Sequence, residues 1–251
     1  MRLKLVCCEV LFREMCSELA RSPHQIDVEF LPKGLHDLGG RGMAGELQKI
    51  VDVVPAGRYD AILLGYGLCG NGLSGITARH TMLVLPRAHD CIALLLGSRQ
   101  RYQAHFDEFP GTYFRSTGWL ERGKGLQQLT HNTVGMDVSL EEMIEKYGED
   151  NGRYLYEELT RYRTHYQRLV YIETGLEADL RFEEEARWEA AEKGWKFEKM
   201  SGNLVLLRRL VTGDWKDSDF LVVQPGHCIA PTYGSDVVRS DEASHGSAAA
   251  Q

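Results

Sequence analysis

The 251-residue chain has no unbroken apolar run of the roughly 18 residues that a membrane helix requires. It has no surplus of positive charge: 29 Lys and Arg stand against 36 Asp and Glu, a formal net charge of −7. Neither a membrane span nor a broad basic face for nucleic acid is therefore expected. The six cysteines include no CxxC pair, so the local signature of a zinc ribbon is missing. No glycine-rich segment ends in the Gly-Lys-Ser/Thr of a P-loop. The opening residues, MRLKLVCCEVLFREM, are interrupted by Glu9, Arg13 and Glu14 and read as a strand entering a helix rather than as a secretory leader. A cytoplasmic protein with reduced thiols is the expectation.

What is present is alternation. LKLVCC, IDVEFLP, YDAILLG, TMLVLP and GTYFRST read as strands, and EVLFREMCSELARS, MAGELQKIVDVV and DCIALLLGSRQRYQAHF as helices, the last with Asp90 as its N-cap. From Ser139 the chain is rich in charge and tyrosine, and Ser139 and Glu142 have capping-box spacing. The tyrosines at 147, 154, 156, 162 and 166 read chiefly as packing surface. Alternation then resumes with the strands RLVYIETG, WKFEKM and DFLVVQPGHC and the helices LEADLRFEEEARWEAAEKG and GNLVLLRRLVTGDW.

Strand and helix in turn predict an α/β fold with a parallel, Rossmann-like sheet. Residues 3–70 and 168–228 share one order of elements, which suggests two similar lobes with a helical insertion. The implied division is an N-terminal α/β lobe over 1–125, a helical connector over 126–167, a C-terminal α/β half over 168–231 and a disordered tail over 232–251.

In an open parallel sheet, ligands bind beyond the carboxyl ends of the strands. Cys7 and Cys8 end the first strand, and Cys69 follows the third, in GYGLCGNG. His89 and Cys91 follow the fourth, in PRAHDC, and His227 and Cys228 follow the last, in QPGHC. Strand side chains alternate, so one of Cys7 and Cys8 must turn inward. Cys16, within a helix, reads as a small buried hydrophobe. The candidate metal set is therefore Cys8, Cys69, His89, Cys91, His227 and Cys228. Thiolate and neutral imidazole suit zinc or iron, iron–sulfur clusters included. Gly65, Gly67, Gly70 and Asn71 would let the loop approach a ligand closely, and Arg87 and Arg99 would hold an anionic group. Three alternatives stay open: a metal-free thiol site with Cys69 as nucleophile and His89 or His227 as base, a loop that cradles phosphate or nucleotide, and plain packing.

The segments LKLVCCEVLFRE, YDAILLGYGLCGNGL, PRAHDCIALLLGSRQRY and FLVVQPGHCIAP resemble the bacterial and archaeal family known as domain of unknown function 1638, from Leu3 to about Pro231. The resemblance carries no activity with it. It implies an association with corrinoid-dependent methyltransferases, and so with methylated amines or other one-carbon compounds. Two expectations result. One is a metal-dependent enzyme acting on a small molecule, a candidate transferase or lyase. The other is a non-catalytic module that binds a corrinoid or another ligand and serves a methyltransferase or corrinoid protein.

Overall fold

A computed structural model describes residues 1–122, 140–160, 166–232, 234 and 236–243. Strand β1 (Arg2–Cys8) passes through a single 3-10 turn into α1 (Phe12–Leu19), and β2 (Gln25–Leu31) through a longer one (Lys33–Leu38) into α2 (Gly39–Asp52). Next come β3 (Ala61–Gly65), β4 (Leu83–Pro86), α3 (Cys91–Leu96), α4 (Arg99–Glu108), β5 (Thr112–Ser116) and α5 (Thr117–Glu121). The remaining elements are α6 (Leu140–Tyr147), α7 (Glu149–Thr160), β6 (Arg168–Glu173), α8 (Arg181–Glu192), β7 (Lys196–Ser201), α9 (Val205–Thr212), β8 (Phe220–Val223), β9 (His227–Pro231) and β10 (Val238–Glu242). The fold is mixed α/β.

The central sheet has the order β2-β1-β3-β4-β8. Its first four strands are parallel, and β8 runs antiparallel to β4. AILLG in β3 and LVLP in β4 are buried at every position, as strands covered on both faces must be. β2, at the edge, carries polar residues and is only partly buried. A second sheet, β5-β6-β7, is wholly parallel. Helix α3, CIALLL, is apolar on all sides and buried throughout. Its end is fastened towards the second sheet, where the Asn203 N–H donates to the Leu95 carbonyl at 2.8 Å. No helix among the described residues is long and apolar enough to cross a membrane.

Three expectations differ from what is observed. β5, from the expected N-terminal lobe, lies in the second sheet, and β8, from the expected C-terminal half, completes the first. The apparent repeat therefore breaks at its third strand: β1, β2 and β3 share a sheet, whereas β6 and β7 part from β8. The expected disordered tail contains β10, paired antiparallel with β9, because Val237 and Val238 find burial there. The expected cap at Ser139 and the tyrosine at 162 lie outside the described residues. Tyr166 packs its ring 5.3 Å from Tyr113 and 5.6 Å from Trp195.

Helix α1 buries two acids, Glu14 and Glu18, each 1% exposed. Glu18 accepts both arms of the Arg208 guanidinium, at 2.9 and 3.2 Å, which joins α1 to α9. Glu14 accepts the Thr174 hydroxyl at 3.0 Å, and its Oε2 has no hydrogen-bond partner among the described residues. Burial holds the Glu14 carboxyl above its usual range. The folded chain then binds this proton more tightly than the unfolded chain, so stability is full at low pH and falls as pH rises from the ordinary carboxylate value through the raised one. Glu14→Gln should accordingly raise the melting temperature at about pH 7 more than at about pH 4. Thermal unfolding at both pH values checks this, and equal shifts would rule out the buried charge as the cause.

Candidate functional site

β1, β3 and β4 run the same way, so their carboxyl ends open on one side of the sheet. The register sets Cys7 beside Gly65. Cys7 turns inward, its Sγ 3.5 Å from the carbonyls of Cys8 and Gly65. A Cβ on Gly65 would stand 2.5 Å from that sulfur, so Gly65 makes room for Cys7 rather than for a ligand. Cys8, the last residue of β1, turns to the other face, and Tyr66 follows β3 directly.

Cys69 enters from the glycine loop. Its N–H donates to the His89 carbonyl at 2.8 Å, as Leu68 N–H does to Ala88. Cys69, Gly70 and Asn71 are all left-handed, with φ of 48, 62 and 70°. For a cysteine that conformation costs about 1–3 kcal/mol and persists only where the surroundings impose it. The imposing contact is at Gly67, where a Cβ would lie 2.6 Å from the Asp90 backbone. Gly67 therefore lets backbone touch backbone, whereas Gly72 makes room for the Met43 side chain. Asp90 caps α3, its Oδ1 accepting from Ile92 and Ala93 N–H at 3.0 and 3.2 Å and its Oδ2 from the Tyr102 hydroxyl at 3.0 Å. That cap aims the first turn of α3 at the loop.

Cys8, Cys69 and Cys91 stand near enough at this rim to act on one another electrostatically. The backbones of Gly67 and Cys91 act to lower the Cys69 thiol, against the larger effect of burial. The Cys91 sulfur accepts from the Trp119 indole at 3.2 Å. The Cys8 sulfur faces His36 Nε2 at 3.7 Å, and the Val10 backbone acts to lower its thiol. Burial, with Glu9 adding to it, pushes Cys8 up to about 12. Burial also raises Cys69 and Cys91, and in both cases the Asp90 carboxylate and the neighbouring thiols add to it. Burial thus favours the neutral thiol at all three positions. Burial and nearby Lys33 lower His36 to about 4, leaving a neutral imidazole, the form that ligates metals.

The other expected residues lie elsewhere. The His89 side chain is exposed, and its carbonyl alone reaches Cys69. β8 points the opposite way, so His227 and Cys228 leave at the far end, where Cys228 bridges Thr77 and pairs with Asp241. Arg87 is no anion holder: its Nε and Nη2 bond the Asp217 carbonyl and carboxylate at 2.7 and 2.9 Å, and its Nη1 bonds the Val238 carbonyl. Arg99 Nη2 reaches the Ser218 carbonyl at 3.4 Å. Gly70 and Asn71 are exposed on the outer turn of the loop. His36, Tyr66, Tyr102 and Trp119 were not among the expected site residues. His36 follows the second strand in LPKGLHD, so the strand-exit rule could have found it; the aromatic residues give no such signal.

Among the described residues, no group of three or more His, Cys, Asp and Glu side chains is spaced to hold a metal ion. The donor chemistry nonetheless suits a soft cation: sulfurs, one of them facing an indole N–H, beside a neutral imidazole. These side chains do not converge on one point. Against Cys91 lies a cavity of about 270 Å³, walled by Asp90, Tyr102, Phe114, Trp119 and Tyr166 among others.

Sheet order and rim together describe an α/β protein with a thiol-bearing crevice at its strand ends. The chain belongs to the family described as protein of unknown function (DUF1638), whose pattern its residues 30–211 match. That span contains Cys69 and Cys91 and leaves Cys8, His227 and Cys228 outside it. No curated protein and no solved structure matches the chain.

Gly67→Ala should destabilise the fold by about 1–3 kcal/mol, because the Asp90 backbone cannot yield cheaply. Urea unfolding reads this directly, and a cost near zero would mean that the contact is loose. Iodoacetamide at about pH 7.5 should leave Cys8, Cys69 and Cys91 largely unmodified in the native metal-free protein and label them in urea. Prompt native labelling of Cys69, seen by peptide mass spectrometry, would reveal a thiolate.

Proposed function

We propose that the protein is an enzyme that binds a small molecule in the crevice beyond β1, β3 and β4, and that Cys8, Cys69 and Cys91, with His36, take up a zinc or iron ion there. What supports this reading is the Trp119 indole N–H donating to the Cys91 sulfur at 3.2 Å and the His36 imidazole 3.7 Å from the Cys8 sulfur. A donor stabilises charge on sulfur, so it serves a thiolate better than a thiol. Burial keeps these thiols protonated on their own, and a cation would reverse that balance.

An ion held there would supply Lewis acidity to a bound substrate. The chain's own residues would do the rest. Asp90 caps the first turn of α3 and holds the Tyr102 hydroxyl, Trp119 both walls the cavity and donates to Cys91, and Tyr102 and Phe114 complete the wall. A volume of about 270 Å³ lies just under the range of drug-sized sites, roughly 300–1,000 Å³, and favours a small substrate over a corrinoid. Methylated amines and other one-carbon compounds, the context implied by the family resemblance, are of that size. The parallel order β2-β1-β3-β4 supports a Rossmann-like reading of the first sheet, with the ligand at its strand ends.

Protein made in iron- and zinc-replete medium, and purified without oxygen or chelators, should carry about one ion per chain by plasma mass spectrometry. Cys69→Ser and Cys91→Ser should reduce that content to background while keeping the wild-type circular dichroism. A wild-type content below about 0.2 per chain would end the metal reading, because thiolate-rich sites retain their ions.

A further inference from the structure

We propose that the cavity beside Cys91 selects a small organic cation, an ammonium ion carrying alkyl groups, with the Asp90 carboxylate as its counter-ion and the rings of Tyr102, Phe106 and Phe114 as its walls. This rests on the reading that a small molecule occupies the crevice, and it needs no metal ion. Six of the twelve residues that line the cavity are aromatic, in a chain that is 9% aromatic. The ring centres of Phe106 and Phe114 lie 6.4 and 6.3 Å from that of Tyr102, with interplanar angles of 30 and 42°. The faces of such rings carry negative potential and attract a cation held within about 6 Å of the ring centre. Phe106 is 45% exposed, so this wall meets solvent and the cavity is reached without opening the core.

Charge decides what such a space accepts. Asp90 brings a carboxylate to the lining and Arg115 a guanidinium. The guanidinium is committed: it donates to both Glu189 oxygens, at 2.8 and 2.9 Å, and lies 4.6 Å over the Tyr113 ring. The carboxylate is not matched in the same way. Its partners are the Ile92 and Ala93 N–H groups and the Tyr102 hydroxyl, all uncharged. An ionised carboxylate offers about four acceptor positions, so these three bonds leave one for a ligand. Lys33 lies over Trp119, and Lys193 joins Arg115 over Tyr113. No Lys or Arg among the described residues lies over Tyr102, Phe106 or Phe114, the three rings nearest to being vacant for a cation. An anionic ligand would meet Asp90 with the one lining cation already paired. A neutral ligand would leave both the carboxylate and the ring faces without a charge to hold.

The test is a ligand-observed NMR titration with three probes of similar bulk and different charge: tetramethylammonium, tert-butanol and pivalate. Wild type should bind tetramethylammonium at least about tenfold more tightly than tert-butanol, and pivalate more weakly than either. Asp90→Asn keeps a good helix cap and should weaken tetramethylammonium at least about fivefold, with tert-butanol held within about twofold. Phe106→Leu, at an exposed position, should weaken the cation at least about twofold with the same sparing of the neutral probe. Circular dichroism checks that both variants are folded. Equal wild-type affinities for cation and neutral probe, tighter binding of pivalate, or an unchanged cation affinity in either folded variant would each overturn cation selection and leave the small-molecule site standing. Should Asp90→Asn fail to fold, the wild-type series and Phe106→Leu decide. Binding of none of the three probes to wild type would instead remove the small-molecule site, and cation selection with it, so the two failures are told apart.

Discussion

Strand direction decides which side chains meet in this protein. β1, β3 and β4 are parallel, so the residues that follow them leave the sheet on one side, and Cys8, Cys69 and Cys91 arrive at a common rim. β8 runs against β4, and its exit residues, His227 and Cys228, are carried to the other end. There they enter the β9–β10 hairpin, which Arg87 fastens to the sheet through the carbonyls of Asp217 and Val238. One reversal of direction thus separates a candidate site from a structural clamp.

At the rim two effects oppose each other. Burial disfavours thiolates, whereas the backbones of Val10, Gly67 and Cys91 and the Trp119 indole favour them. Burial is the larger effect, and it favours the neutral thiol. The backbone around them is expensive to build: Cys69 is left-handed, and Gly67 lies against Asp90 with no room for a Cβ. Such costs are tolerated where the surroundings over-determine the geometry, here through the Asp90 cap and the loop's bonds to Ala88 and His89.

Most of the elements were legible because each is announced locally. AILLG and LVLP are short, wholly apolar runs, and Asp90 stands where a helix cap belongs. The strand-exit argument reached Cys8, Cys69 and Cys91 because it needs only strand ends and the assumption of parallel pairing. It failed at β8, because nothing in DFLVVQPGHC reveals which way the strand runs beside its neighbour. It also passed over His36, which follows an edge strand whose polar face drew no attention to its exit. Arg87 misled for a related reason: a guanidinium next to a cysteine motif looks like an anion holder until the carbonyls of a distant hairpin are brought to it.

The sequence by itself determined the α/β class, the alternation of strand and helix, the absence of a long apolar span, and the presence of thiols at strand ends. These are properties of composition and local period, which neighbouring residues carry between them. Tertiary structure alone decided that β5 and β8 change places between two sheets, that β10 is a strand, and that Trp119, Tyr66 and His36 close around the sulfurs. Those outcomes depend on which hydrogen-bonding edge a strand finds and which apolar surface is left to cover. Both are settled between residues far apart in the chain.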